Sequence, residues 1–301
     1  MVSQTDARLS VLVPVYNEEK TVERVLERVL DLGSIVHEVV VVDDGSKDAT
    51  AAIVTALARR EPKVRFFQMD RNRGKTAAIR RALEEATGSI IIVQDADLEY
   101  DPAEIPEVIA PILAGHADVV YGSRFLVRRA ARVLYFYHYL ANCFLTFLSN
   151  LLTNRNMSDI ETCYKAFRAE VIKPLRLTSK GFGMEVEITA MVCKTRARTY
   201  EVPISYYGRS YEEGKKIGLR DGIAALWYIF YYNLVRPRLR SGRRYVRAVN
   251  AALAATVDHT PVDELWAPGS GMRAVPDSAD WPAPVRNGVS QQALQPGAAQ
   301  H

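Results

Sequence analysis

Four clusters of polar residues carry the chemistry in this sequence. Asp95-Ala96-Asp97-Leu98-Glu99 sets two carboxylates two residues apart behind the apolar run Ile90–Val93. That spacing suits a hard divalent ion held through oxygen, since Mg2+ and Mn2+ keep coordination sites free for a substrate diphosphate. Pro14-Val15-Tyr16-Asn17-Glu18, Asp43-Asp44-Gly45-Ser46 and Gly122-Ser123-Arg124 follow three other apolar runs. Any one of them could be a turn with a capping residue, and a lone D-x-D arises by chance. Four at the carboxyl ends of strands, where open α/β sheets bind ligands, point to one crevice. Two phosphate readers are excluded. No G-x-G-x-x-G follows the first run, and Gly74-Lys75-Thr76 lacks the earlier glycine of a Walker A loop because position 69 is Met.

The elements that must position these clusters are legible as an alternation. β-branched runs at residues 9–15, 39–42, 64–67, 90–93 and 119–121 read as strands buried on both faces. Between them, Val22, Val25, Leu26, Val29 and Leu30 recur at helical spacing, with Asn17 expected as N-cap and Gly33 as stop. Residues 48–60, 75–86 and 102–113 supply further helices. The pattern βαβαβαβαβ predicts an α/β fold, a mostly parallel sheet flanked by helices.

Residues 133–152 form a 20-residue stretch without a charge, long enough to span a bilayer. His138, Asn142, Thr146 and Asn150 recur every four residues, however, and put one polar stripe on a helix. An amphipathic helix lying in the membrane interface is therefore expected rather than a span. Residues 222–235 are also uncharged, too short to cross, and crowded with Trp227, Tyr228, Tyr231 and Tyr232. Arg124, Arg128, Arg129 and Arg132 precede the first stretch; Arg236, Arg238, Arg240, Arg243, Arg244 and Arg247 follow the second. Apolar faces flanked by cations suit an anionic membrane surface. Buried core helices with a solvated basic edge are the alternative.

Hydrophobic residues at 48% and charged residues at 25% exclude a wholly disordered chain. Residues 249–301 hold five acids and two bases, net −3 against +4 for the whole chain, so residues 1–248 carry +7. From Val249 the sequence turns to Ala, Pro, Gly, Ser and Gln without periodicity, and is expected to be a disordered tail. Three cysteines without a C-x-x-C argue against a disulfide framework or zinc ribbon and suit a reducing compartment. The first apolar run is broken by Pro14 and leads into Asn17-Glu18-Glu19, unlike a signal peptide, so a cytosolic setting is expected.

The ordered set Val13-Pro14-Val15-Tyr16-Asn17-Glu18, Val42-Asp43-Asp44-Gly45-Ser46-x-Asp48, Asn72-Arg73-Gly74-Lys75, Asp95-Ala96-Asp97-Leu98, Gly122-Ser123-Arg124 and Asp159-x-x-Thr162-Cys163-Tyr164-Lys165 closely resembles the inverting family 2 glycosyltransferases. The branch resembled is that of the dolichyl- and undecaprenyl-phosphate sugar synthases, mannosyl- or glucosyltransferase-like. Arg209 with Glu213-Gly214-Lys215-Lys216 extends the likeness, which covers roughly residues 8–240. The resemblance implies the Rossmann-like GT-A fold. A nucleotide-sugar half would occupy residues 1–125, and an acceptor half 126–248, with membrane-facing helices near 133–152 and 219–240 ahead of the tail. It implies that Pro14, Tyr16, Glu18 and Asp44 line the base and ribose pocket of a GDP- or UDP-sugar, with Lys75 also on the donor side. Asp95, Ala96 and Asp97 would hold Mg2+ or Mn2+ and the diphosphate. Glu99, where many members have Gln, would add a third carboxylate to the metal. Arg124 and Arg209 would face phosphates of donor or acceptor, and Asp159 stands at the position of the catalytic base.

A polyprenyl phosphate is already ionised at neutral pH, so Asp159 could instead orient the attacking phosphate or stabilise charge on the sugar carbon. Most of the rate would then come from in-line placement and from neutralising the leaving diphosphate. The expectation is a peripheral membrane enzyme on the cytosolic face, with an oligomer left open. A soluble or saccharide hydroxyl acceptor, for which Asp159 would be a true base, is the runner-up. Asp159 and Arg209, both late in the chain, are expected on the acceptor side. A nucleic-acid or membrane binding module using the arginines of 236–247 leaves the carboxylates at the strand ends unexplained.

Overall fold

Every apolar strand predicted above lies in one sheet. The computed structural model describes residues 7–126, 132–133, 135–181, 183–209, 212 and 219–256, with side chains of the last segment from residue 222. The strands are β1 (Leu9–Val15), β2 (Val36–Asp43), β3 (Val64–Gln68), β4 (Ile90–Val93), β5 (Val119–Ser123), β6 (Lys165–Arg168) and β7 (Thr199–Pro203). Their order is β3-β2-β1-β4-β6-β5-β7. β1 pairs in parallel with β2 and β4, so Val11 lies between Val39 and Ile92, and all three are fully buried. Covering on both faces explains the unbroken Val and Ile runs.

The alternation breaks once. β6 enters antiparallel between β4 and β5, with Phe167 opposite both Ile91 and Val119. The fifth strand of the sequence reading therefore does not pair with the fourth.

The helices are α1 (Val22–Leu30), α2 (Thr50–Arg60), α3 (Lys75–Glu85), α4 (Ile105–Leu113), α5 (Phe136–Thr153), α6 (Ala169–Ile172), α7 (Met184–Val192), α8 (Leu219–Phe230) and α9 (Arg240–Thr256). Asn17 is not the cap of α1, which begins after Thr21. Asn17 adopts a left-handed φ of 53° and its Oδ1 accepts from the Lys47 amide, tying the first loop to the second. Gly33 opens a short 3-10 turn two residues beyond the α1 C-cap, Asp31.

Residues 249–256, expected to belong to the tail, are helical. α9 continues through Thr256, and its Val249 and Leu253 are buried. Alanine-rich sequence with valine and leucine four residues apart makes a helix that has a core to pack against. Arg128, Arg129, Glu213-Gly214-Lys215-Lys216 and residues 257–301 lie outside the described residues.

Candidate active site

The carboxyl ends of β1, β2, β4 and β5 bring the predicted clusters to one side of the sheet. Pro14 lies in β1 and Tyr16 and Glu18 follow it, all three partly buried. After β2, Gly45 turns with a φ of +74°, where a Cβ would come within 2.7 Å of the Arg71 backbone. Only glycine fits both the dihedral and the approach. The turn lets Asp44 accept from the Arg73 and Gly74 amides at 2.8 and 2.7 Å. Burial pushes its carboxyl up, while those two bonds oppose the shift. Asp44 thus shapes the 72–74 turn that leads Lys75 into the site.

Beyond β4, Leu98 holds a left-handed φ of 62°, a strained setting for a leucine. The Asp95–Glu99 turn separates the three acids by their partners. Asp95 is bound by Lys75 Nζ at 2.8 Å, which also reaches Glu185 on α7 at 3.4 Å. Asp97 Oδ2 is 2.8 Å from Arg209 Nη2. Glu99 accepts from the Arg209 amide at 2.9 Å and from the Tyr206 hydroxyl at 2.8 Å, and Arg209 Nε lies 3.3 Å away. Burial and the charges of Asp95 and Glu99 push the Asp97 carboxyl up to about 7, against the pull of Arg209.

No group of three or more His, Cys, Asp or Glu side chains among the described residues is arranged to hold a metal ion. The expected Asp95–Asp97–Glu99 set is not among such groups, and Glu99 is engaged by the 206–209 segment. The hard oxygens of Asp95 and Asp97, in a setting that disfavours a second negative charge, fit a divalent ion. Arg209, expected on the acceptor side, reaches the Asp95–Glu99 turn. Its guanidinium faces Asp97, Glu99 and, at 3.7 Å, Glu18.

Asp159 lies behind the end of β5. Its carboxylate is fully buried and bound in the fork of Arg124, with Nε–Oδ2 at 2.6 Å and Nη2–Oδ1 at 2.8 Å. The Glu161 amide donates to Oδ1, and the Asn142 amide group reaches the same oxygen at 3.4 Å. Glu201 on β7 accepts from the amides of Ser158 and Asp159, fixing the turn from beneath. The Arg124 guanidinium lies 5.1 Å from the centre of the Tyr206 ring, whose hydroxyl holds Glu99. Tyr206 therefore joins the two charged centres.

Asn142 belongs to the polar stripe of α5, and the stripe turns inward. Thr146 Oγ1 bonds Asn142 and accepts from the Ile160 amide, while Asn150 holds both polar backbone groups of Met157. The opposite face leaves Phe136, Tyr137, Leu140, Phe144, Phe147 and Leu151 exposed. On α8 and the π turn that follows it (Tyr231–Val235), Ile223, Trp227, Phe230, Leu234 and Val235 are exposed. No helix among the described residues is long and apolar enough to cross a membrane.

Sequence reasoning missed Tyr206, Glu185, Glu201 and Glu161. Glu161 is pushed up to about 7 by burial and by Glu185, against the pull of Lys165. A buried Glu on a helix carries no local signal; Glu185 and Glu187 within the mostly apolar α7 were the one available clue.

Known proteins resemble this chain in sequence and in fold. The family model described as glycosyl transferase family 2 matches residues 10–176. A dolichol-phosphate mannosyltransferase of Pyrococcus furiosus is 29% identical over 214 residues, covering 70% of this chain and 60% of that one. An undecaprenyl-phosphate 4-deoxy-4-formamido-L-arabinose transferase of Edwardsiella ictaluri is 30% identical, over 69% of this chain and 62% of its own. The chain thus spans about 60% of the length of these relatives. Among solved structures, glucosyl-3-phosphoglycerate synthase of Mycobacterium tuberculosis superposes with a TM-score of 0.60 at 20% identity, covering 77% of this chain and 82% of that one. The same synthase has been solved with Mn2+ and uridine diphosphate, at a TM-score of 0.56 and 22% identity over 76% of this chain and 81% of its own. The likeness to these structures is one of fold, the GT-A arrangement.

Proposed function

Since the chain belongs to glycosyltransferase family 2, we propose that it transfers a sugar from a nucleoside-diphosphate donor to a polyprenyl phosphate at a membrane surface, inverting the anomeric carbon. One observation carries the choice of a lipid acceptor. α5 bonds the Asp159 turn with its polar stripe and exposes an aromatic and aliphatic stripe on its other face. An acceptor phosphate approaching Asp159 and Arg124 would do so beside a surface suited to its hydrocarbon tail. The names of the two curated relatives, both transferases to polyprenyl phosphates, support the same reading.

In this reading Pro14, Tyr16 and Glu18 line the nucleoside pocket, and Asp44 acts through the turn it holds. Asp95 and Asp97 would bind Mg2+ or Mn2+, which supplies positive charge to the leaving diphosphate. Arg209 would exchange Asp97 for a diphosphate oxygen when the donor arrives, since its fork suits phosphate as well as carboxylate. Attack by an ionised phosphate oxygen on the sugar carbon forms the new glycosyl bond and releases the nucleoside diphosphate, with no proton to remove. Asp159 is accordingly a positioning residue, fixing the Arg124 guanidinium where the acceptor phosphate would dock. The enzyme would work peripherally, from the side of the membrane that holds nucleotide-sugars.

The test is a panel of GDP- and UDP-sugars with a short-chain polyprenyl phosphate and Mg2+ or Mn2+, the product being identified by mass. A glycosyl polyprenyl phosphate is expected. Transfer to hydroxyl acceptors alone would replace this reading by the soluble-acceptor one and make Asp159 a base.

A further inference from the structure

Each of the two aspartates suited to a divalent ion is covered by a cation of the chain itself. Lys75 Nζ lies 2.8 Å from Asp95 Oδ1 and 3.0 Å from Oδ2, astride the carboxylate. Arg209 Nη2 lies 2.8 Å from Asp97 Oδ2. A divalent ion would compete with these cations for the same oxygens, so each cation needs another partner when an ion binds. For Arg209, Glu99 stands at 3.3 Å and Glu18 at 3.7 Å. For Lys75 the second partner is Glu185, whose Oε1 lies 3.4 Å from the same Nζ.

Glu185 has the capacity to take that lysine. It stands in the first turn of α7, is 4% exposed, and its Oε2 has no hydrogen-bond partner among the described residues. A buried carboxylate with one long ion pair and one free oxygen is under-satisfied, and a closer ammonium group relieves it. The main chains that carry the pair are tied together. The Gly181 carbonyl, just ahead of α7, accepts from the Thr76 amide at 3.3 Å and from the Thr76 hydroxyl at 2.9 Å. The Gly74 amide, just ahead of Lys75, is held by Asp44. With both backbones anchored, moving Nζ from Asp95 towards Glu185 asks only for rotation of the flexible lysine stem.

We propose that Glu185 is a positioning residue for the metal site, taking Lys75 when a divalent ion occupies Asp95 and so clearing the resident cation from the oxygens the ion needs. Without Glu185 the ammonium group stays on Asp95 and the ion binds against it. The proposal rests on the reading of Asp95 and Asp97 as metal ligands and extends it to a residue that acts through Lys75.

Mn2+ binding to the full chain in the absence of donor, read from loss of the free-ion electron paramagnetic resonance signal, tests this apart from sugar transfer. Glu185→Gln is expected to bind Mn2+ about tenfold more weakly than wild type. Loss of a nearby negative charge would also weaken a cation, so the same substitution is made in a Lys75→Gln background. There, with no ammonium group to relocate, it is expected to change the affinity by less than about twofold. Lys75→Gln by itself should bind Mn2+ at least as tightly as wild type. Glu185→Asp, which keeps the charge and shortens the side chain, runs through the same cycle if Glu185→Gln does not fold. An unchanged affinity, or an equal loss in both backgrounds, overturns the proposal; equal loss would make Glu185 part of the general field of the site. Weaker binding by Lys75→Gln overturns it as well, since Lys75 would then help the ion rather than compete with it. A wild type that takes up no Mn2+, or no more than Asp97→Asn does, instead removes the metal reading on which the proposal stands.

Discussion

Arg124 encloses the carboxylate of Asp159 from the side facing the crevice, with both fork distances below 2.9 Å and the carboxylate itself fully buried. A carboxylate with both oxygens taken by one guanidinium is well placed to orient its partner. Removing one member would leave the other charged, buried and unpaired, which costs about 3 kcal/mol. Arg124→Leu is therefore expected to lower unfolding stability by about that amount. Asp159→Asn, which keeps shape and two hydrogen-bonding atoms, should cost less stability but reduce kcat with donor affinity preserved. Urea unfolding beside calorimetry of donor binding checks both, and loss of donor binding in folded Asp159→Asn would move the pair to the donor pocket.

Asp97 and Glu99 are predicted to differ despite being two residues apart. Asp97→Asn should reduce transfer about 10²-fold and raise the Mn2+ concentration needed for half activity. Glu99→Gln should reduce transfer while leaving the metal requirement unchanged, because that carboxylate holds Arg209 and Tyr206. A metal titration of initial rates distinguishes them. An equal rise in metal requirement for both would restore Glu99 to the ion.

Acid stability should depend on Glu38, in β2. Burial opposes its ionisation, but bonds from Ser10, Thr87 and Arg65 prevail and lower its pKa from 4.5 to about 2. The native value lies below the unfolded one, so the stabilisation is complete above about pH 5 and is lost as pH falls towards 2. The loss over that window is about 3 kcal/mol. Glu38→Gln should be less stable at neutral pH and show a correspondingly shallower acid dependence in urea unfolding. An unchanged slope would show that other carboxylates dominate.

The outer face of α5 should matter for membranes and little for folding. Phe144→Ser, Phe147→Ser and Leu151→Ser together remove three exposed apolar groups. Vesicle affinity should fall about 10²-fold and the melting temperature should stay close to wild type. Retained vesicle binding in the triple variant would reassign the membrane-facing surface.

Truncation should separate α9 from the residues after it. Ending the chain at residue 248 removes buried Val249 and Leu253, a loss of about 4 kcal/mol. Thermal unfolding of that truncation, compared with one ending at residue 256, measures the difference. Equal melting temperatures would show that the last two turns of α9 contribute nothing.

The strands of the first half were legible because parallel strands covered on both faces are written as Val and Ile runs, and four of the polar clusters sit where those runs stop. β6 was not legible: Lys-Ala-Phe-Arg is four residues long with a cation at each end, and its Lys165 is nonetheless buried. The crevice could be drawn from Asp95, Asp97 and Arg124, but their partners could not. Arg209 meets Asp97 across 112 residues and Asn142 meets Asp159 from a separate helix, relationships that only the tertiary fold creates. The polar stripe of α5 was read correctly as a stripe, and its direction could not be, since spacing fixes a face without saying what the face meets.

The antiparallel strand β6 also sets an order of assembly. Among the described residues β5 pairs with β6 and β7 alone, so a nascent chain that has reached residue 125 can zip β3-β2-β1-β4 but has neither of these neighbours for its fifth strand. Until residues 165–168 emerge, β4 offers an open edge of four buried-type residues, Ile-Ile-Ile-Val, a template for pairing with other chains. The first 125 residues are thus a poor candidate for expression as a separate nucleotide-binding fragment, and a ribosomal pause before residue 165 would hold the protein with that edge uncovered.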